Sequence, residues 1–265
     1  MKLNQKKIDH IFHYTDEYEY LKKILLNGFA PSYCVEEIND TKFLTPMVSF
    51  CNIPIRDVGD YMHYGDYGIG MSVDWAIENN LSPVIYIHEN TPFKNVRDVI
   101  YNLSFNQFIN RAIHNTIKEK TNSHVNDYEY ALSEEQILEL NNSSFLLAQF
   151  LKNWKTIYKG DEIITYHERE WRYIPNLDAE KEKKLVAIND EDFNIYLEKK
   201  KPHLPERSLH IESIKDIRYI IIKDDVERKE IIDILIKKFT QEEVSDSISS
   251  GKLMILNTEQ IANDF

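Results

Sequence analysis

The chain has 265 residues, 42% apolar and 29% charged, which is enough to bury a sizeable core and leaves disorder as a poor account of most of it. Its 44 acidic residues against 32 basic ones give a formal net charge of -12, so the averaged field repels phosphate backbones and disfavours broad nucleic-acid binding. Two cysteines leave no disulfide framework and no four-thiolate zinc site, no stretch reaches the ~20 apolar residues of a membrane span, and no apolar segment follows the basic start; a cytoplasmic protein with no membrane contact is expected.

In chain order, Ile11-Phe12-His13-Tyr14 predicts a short strand. Thr15-Asp16-Glu17 then supplies an N-cap and first-turn acids for a helix with Leu21, Ile24 and Leu25 on its apolar face and Gly28 at its C-cap. Met47-Val48-Ser49-Phe50-Cys51 is a second short strand, with Pro54 at the head of another short helix. Gly65, Gly68 and Gly70 crowd into Tyr61 to Ser72, where the backbone bends tightly or comes close to something. Ser72 caps a helix through Trp75-Ala76-Ile77, and Pro83-Val84-Ile85-Tyr86-Ile87 is a buried strand.

From about Phe93 to Tyr158 the period turns helical, in Phe105-Phe108-Ile109-Ala112-Ile113 and in Phe145-Leu146-Phe150-Leu151-Trp154, with a polar loop between them near Thr121 to Tyr128. Residues 91–159 are therefore expected as a helical insertion in one domain whose α+β core is 1–90 and 160–265. Strands return at Ile163-Ile164-Thr165-Tyr166, at Glu170-Trp171-Arg172-Tyr173-Ile174 and at Ile217 to Ile222, followed by a helix from Val226 to Phe239 and a strand from Lys252 to Leu256. The lysines of 181–184 and 199–201 read as solvated helix ends. Short strands interleaved irregularly with helices favour α+β over a doubly wound parallel sheet.

The chain has no P-loop, dinucleotide fingerprint, zinc-protease helix or nucleophile elbow, and no clustered aspartates for paired metal ions, so no metal is expected. Two stretches remain. His13-Tyr14-Thr15 sits where a strand runs into a helix N-terminus, beside amides suited to phosphate or ribose. In Glu168-Arg169-Glu170-Trp171-Arg172, a strand would put Glu168, Glu170 and Arg172 on one face with the carboxylates about 7 Å apart. Their repulsion, on the order of 2 kcal/mol, raises one pKa unless Arg172 or a ligand relieves it. The plain alternative is a solvated ionic face opposite an aromatic core face.

The order His13-Tyr14-Thr15, Asn27-Gly28-Phe29, Pro46 to Pro54, Tyr64-Gly65-x-Tyr67-Gly68-Ile69-Gly70-Met71-Ser72 with Trp75-Ala76, and Glu168-x-Glu170-Trp171-Arg172 resembles the AbiGi family of abortive phage-infection proteins. That resemblance implies phage defence, and its members are commonly labelled the antitoxin half of a toxin–antitoxin pair. The same residues resemble, more remotely, ADP-ribosyltransferases, which implies a split antiparallel sheet and NAD as cofactor. By that likeness Glu170 holds the nicotinamide ribose and stabilises an oxocarbenium-like transition state, Glu168 orients or deprotonates the acceptor, and His13 fixes the adenosine ribose. Tyr14, Thr15, Tyr64, Tyr67, Gly68, Gly70 and Ser72 would line the rest of the cleft. Gly70-Met71 stands where one branch of that superfamily carries the aromatic that stacks on nicotinamide, leaving Tyr67 or Tyr64 to replace it. The expectation is an antiphage protein that transfers ADP-ribose to a macromolecule. Its rival is a non-catalytic antitoxin or sensor that binds a cognate toxin or a phage-derived protein through the helical insert and the acidic surface.

Overall fold

Tyr67–Ser72 is buried at every position, as a strand covered on both faces must be. In the computed structural model, which describes residues 8–38, 41–105, 139, 143–144, 146–158, 160–177, 186–187 and 203–264, this segment is β4, inside a nine-stranded sheet. The strands are β1 (His10–Thr15), β2 (Ser32–Ile38), β3 (Thr41–Cys51), β4, β5 (Ser82–Pro83), β6 (Ile85–Ile87), β7 (Leu151–Asn153), β8 (Thr156–Tyr158), β9 (Asp161–Ile163), β10 (Glu170–Tyr173), β11 (Val186–Ala187), β12 (Ile217–Ile222) and β13 (Met254–Asn257). The helices are α1 (Tyr18–Asn27), α2 (Val73–Glu78), α3 (Phe93–Phe105), α4 (Arg228–Lys238), α5 (Gln241–Ser249) and α6 (Thr258–Asp264).

The sheet runs β13-β12-β4-β1-β3-β10-β5, with β2 and β11 on the first half of β3. Its pairs are antiparallel except β12 with β13, so α+β is the fold class. Side-chain alternation then sends neighbours to opposite faces. Ile11, Phe50, Ile69, Met71 and Ile220 pack under α1, α2, α4 and α5, against Leu21, Leu25, Trp75, Ile231 and Val244. On the other face Phe12, Cys51 and Ile221 meet Ile53, Val58 and, from α6, Ile261.

Several expected elements shift. The helix after β1 begins at Tyr18 with Glu17 at the N-cap and no side-chain bond, so Thr15 stays in the strand. Ser72 does cap α2, its hydroxyl accepting from the Trp75 amide at 3.1 Å. Residues Ile55–Tyr64 form a 3-10 helix after Pro54. The expected strand at 83–87 divides: Ser82–Pro83 joins β10, while Ile85–Ile87 pairs in parallel with Leu151–Asn153, and Ile85 is exposed. The 91–159 stretch starts helical in α3, and 146–149 are helical, but β7 and the β8–β9 hairpin replace helix from Leu151 onward. Extended backbone there lets Leu151 bury itself beside β6, a partner that helical periodicity does not reveal. The readings of 108–113, 121–128, 181–184 and 199–201 lie outside the described residues. Among the described residues, no helix is long and apolar enough to cross a membrane.

Candidate functional site

β10 is four residues long, and its face away from α1 carries Glu170 and Arg172. Both are buried. Ahead of them Thr165–Glu168 is a 3-10 turn, not the strand the sequence suggested, and Arg169 links turn to strand in the left-handed conformation at φ 47° and ψ 52°. That twist brings the Glu168 carboxylate round to the same cation as Glu170. Lys152 Nζ, from β7, donates to Glu168 Oε2 at 2.9 Å and to Glu170 Oε2 at 2.5 Å.

The network extends outward from this pair. Ser49 Oγ donates to Glu170 Oε1 at 2.8 Å, and Arg172 reaches the same carboxylate through Nε at 2.7 Å and Nη2 at 3.3 Å. Arg172 also donates to Glu36 Oε2 at 3.0 Å and to the Gln149 carbonyl at 2.6 Å. Tyr64 Oη donates to Glu168 Oε1 at 2.7 Å, and the Glu170 amide donates to Tyr86 Oη at 2.7 Å. Burial alone would raise the Glu170 carboxyl, yet Arg172 and Lys152 outweigh it and hold the group well below the usual carboxylate range. Lys152 is likewise opposed by burial, and Glu170 and Glu168 keep it charged and push it up. The Cys51 thiol, cross-strand from Glu170, is raised by burial and by both glutamates, which leaves it protonated and inert as a nucleophile.

Of the residues singled out in the sequence, Tyr64, Glu168 and Glu170 come together. His13 does not join them. It leaves β1 on the opposite face, its ring against Phe29 and Phe50, with Nδ1 donating to the Ser49 carbonyl at 2.9 Å. Burial lowers its pKa and favours the neutral ring. Thr15 and Tyr67 share that face, and Tyr67 Oη donates to Glu227 at 2.9 Å. Tyr14, Gly68 and Gly70 are on the Glu170 face, but β1, which carries Tyr14, is two strands from β10, and β4, which carries the glycines, is three, about 14 Å at ordinary strand spacing. A Cβ at Gly70 would meet Phe12 at 2.8 Å and Tyr219 at 3.0 Å, so the close approach its sequence announced is made by the protein's own rings. Ser72 is the cap of α2.

Sequence reasoning missed Lys152, Ser49 and Tyr86. A lysine between Leu151 and Trp154 in an apolar run was the available signal for the first. Among the described residues no group of three or more His, Cys, Asp or Glu is placed to hold a metal ion.

Fold and site together define an α+β mixed-sheet protein with an acid pair sealed inside by its own cations. Residues 27–223 match the family described as "Putative abortive phage resistance protein AbiGi, antitoxin", well over half of the chain, and the chain belongs to that family. It is 25% identical over 242 residues to the abortive phage resistance protein AbiGi of Lactococcus lactis subsp. cremoris, covering 80% of this chain and 88% of that protein. No solved structure matches it significantly.

Proposed function

We propose that this chain serves phage defence in the cytoplasm as a binding protein, the antitoxin that holds a toxin, and not as a catalyst. One observation carries the reading. Each oxygen of the Glu170 carboxylate accepts two donors, Ser49 and Arg172 on Oε1, Lys152 and Arg172 on Oε2, which fills the four acceptor sites a carboxylate has. A group so committed acts as a structural tie. The family description, with its word antitoxin, supports the same role.

ADP-ribosyl transfer from NAD is the second reading, favoured by the convergence of Tyr64 with the Glu168–Glu170 pair from two separate segments. The other residues do not fit a nucleotide cradle around that convergence: His13 faces the other side of the sheet, and Gly70 is shut by Phe12 and Tyr219. No step is therefore assigned to the cofactor.

Co-expression with a toxin encoded beside it tests the choice. The binding reading expects a stable complex, relief of toxicity, and protection retained by any folded Glu170→Gln protein. Nicotinamide release by the purified chain, abolished in Glu170→Gln while the complex still forms, would overturn it in favour of catalysis.

A further inference from the structure

Beside the ion network the surface becomes aromatic. Trp154 follows β7, Tyr166 lies in the turn that presents Glu168, and their rings stack with centroids 4.4 Å apart and planes 15° from parallel. Tyr86 meets Tyr166 edge-on at 5.4 Å, and its hydroxyl accepts the Glu170 amide, so one side chain joins the stack to the acid pair. Tyr166 is nevertheless 47% exposed, and Ile164, two residues before it, is exposed as well. Among the described residues no cation stands over either ring.

A prebuilt stack in which Trp154 is half-buried against His88 and Tyr166 reaches solvent offers the Tyr166 ring to a cation. Guanidinium suits it better than ammonium, because it is planar, less strongly hydrated and able to stack. The exposed Ile164 near Tyr166 in the chain suits the methylene stem of such a side chain. The charge balance agrees. Among the described residues Glu36, Glu168 and Glu170 pair with Lys152 and Arg172 in the network behind the stack, the exposed Lys155 beside it is already paired with Glu162, and the whole chain carries -12.

We propose that the Trp154–Tyr166 stack is the docking surface for an arginine side chain of a partner protein. The proposal rests on the binding reading above and names the chemistry of that partner: basic, with arginine at the contact.

The test titrates the full chain with a tetra-arginine peptide at low ionic strength and follows tryptophan emission. A saturable change is expected, weaker by about tenfold in Tyr166→Leu, which keeps apolar bulk without the ring, and unaltered in Tyr166→Phe. Tetra-lysine should bind several-fold more weakly. Equal binding by Tyr166→Leu or by tetra-lysine would show that net charge alone attracts the peptide, and either result overturns the proposal, as does the absence of a saturable response. A toxin complex indifferent to Tyr166→Leu would also overturn the placement while leaving the antitoxin reading intact.

Discussion

Arg169 holds the left-handed conformation that most L-residues avoid, and it does so between the two glutamates of the site. An extended residue there would keep Glu168 on the strand, with its carboxylate about 7 Å from that of Glu170. Branching at Cβ makes this conformation harder still, so Arg169→Val is expected to be about 1–2 kcal/mol less stable than Arg169→Gly in urea denaturation. Equal stabilities would mean that the twist relaxes on substitution.

Glu170 gives the second prediction at this scale. Its folded carboxyl is held below the unfolded value, so in mild acid the unfolded chain binds more protons there. The stabilisation is fully present above about pH 4.5 and is lost as the pH falls toward the depressed folded value. Thermal melts across that window should show a steep loss in the unaltered protein. Glu170→Gln should start about 3 kcal/mol lower, because Lys152 and Arg172 lose a buried partner, and should then fall less. Parallel curves for the two proteins would remove Glu170 from the acid response.

At the scale of elements, one lysine ties the small β6–β7 pair to the nine-stranded sheet. Lys152 belongs to the former and Glu170 to the latter. A double-mutant cycle of Lys152→Met and Glu170→Gln should return a coupling of about 1–3 kcal/mol, and a value near zero would show that the pairing contributes only through its surroundings. Gly70 makes a complementary case within the sheet. Gly70→Ala drives a methyl into Phe12 and Tyr219 and should cost about 1–3 kcal/mol by denaturation; a neutral substitution would mean that β12 can shift away at no cost. Elements with a local signature were legible: β1, α1, α2 with its Ser72 cap, β12, α4 and β13 all follow from period, caps and turn residues. The segment from Leu151 to Asn153 was not. Its apolar spacing suits a helix, and only β6 alongside makes it a strand.

For the molecule as a whole, a charge of -12 makes association with a basic partner fast and salt-sensitive. Raising salt from about 0.05 to 0.3 M should slow formation of the proposed complex with a toxin much more than its dissociation, and a salt-independent on-rate would exclude electrostatic steering. Arg172, one of two groups expected to relieve the carboxylates, does so for Glu170, and the α+β class and the membership of a phage-resistance family were readable from residues in order along the chain. Which residues share a hollow was not. His13 and Glu170 lie two strands apart, and the face each one takes depends on the register of β1 on β4 and of β10 on β3. A slip of one residue in either pairing would reverse a face, and nothing local to His13 or Glu170 records that register. Lys152 meets the glutamates for the same kind of reason: the contact depends on a strand pairing formed 66 positions from Tyr86, its partner across β6 and β7. Local composition and periodicity therefore determined most of the elements and their class, whereas long-range strand register, with the turn at Arg169, decided that the acids face a lysine of their own chain and that the histidine faces the core.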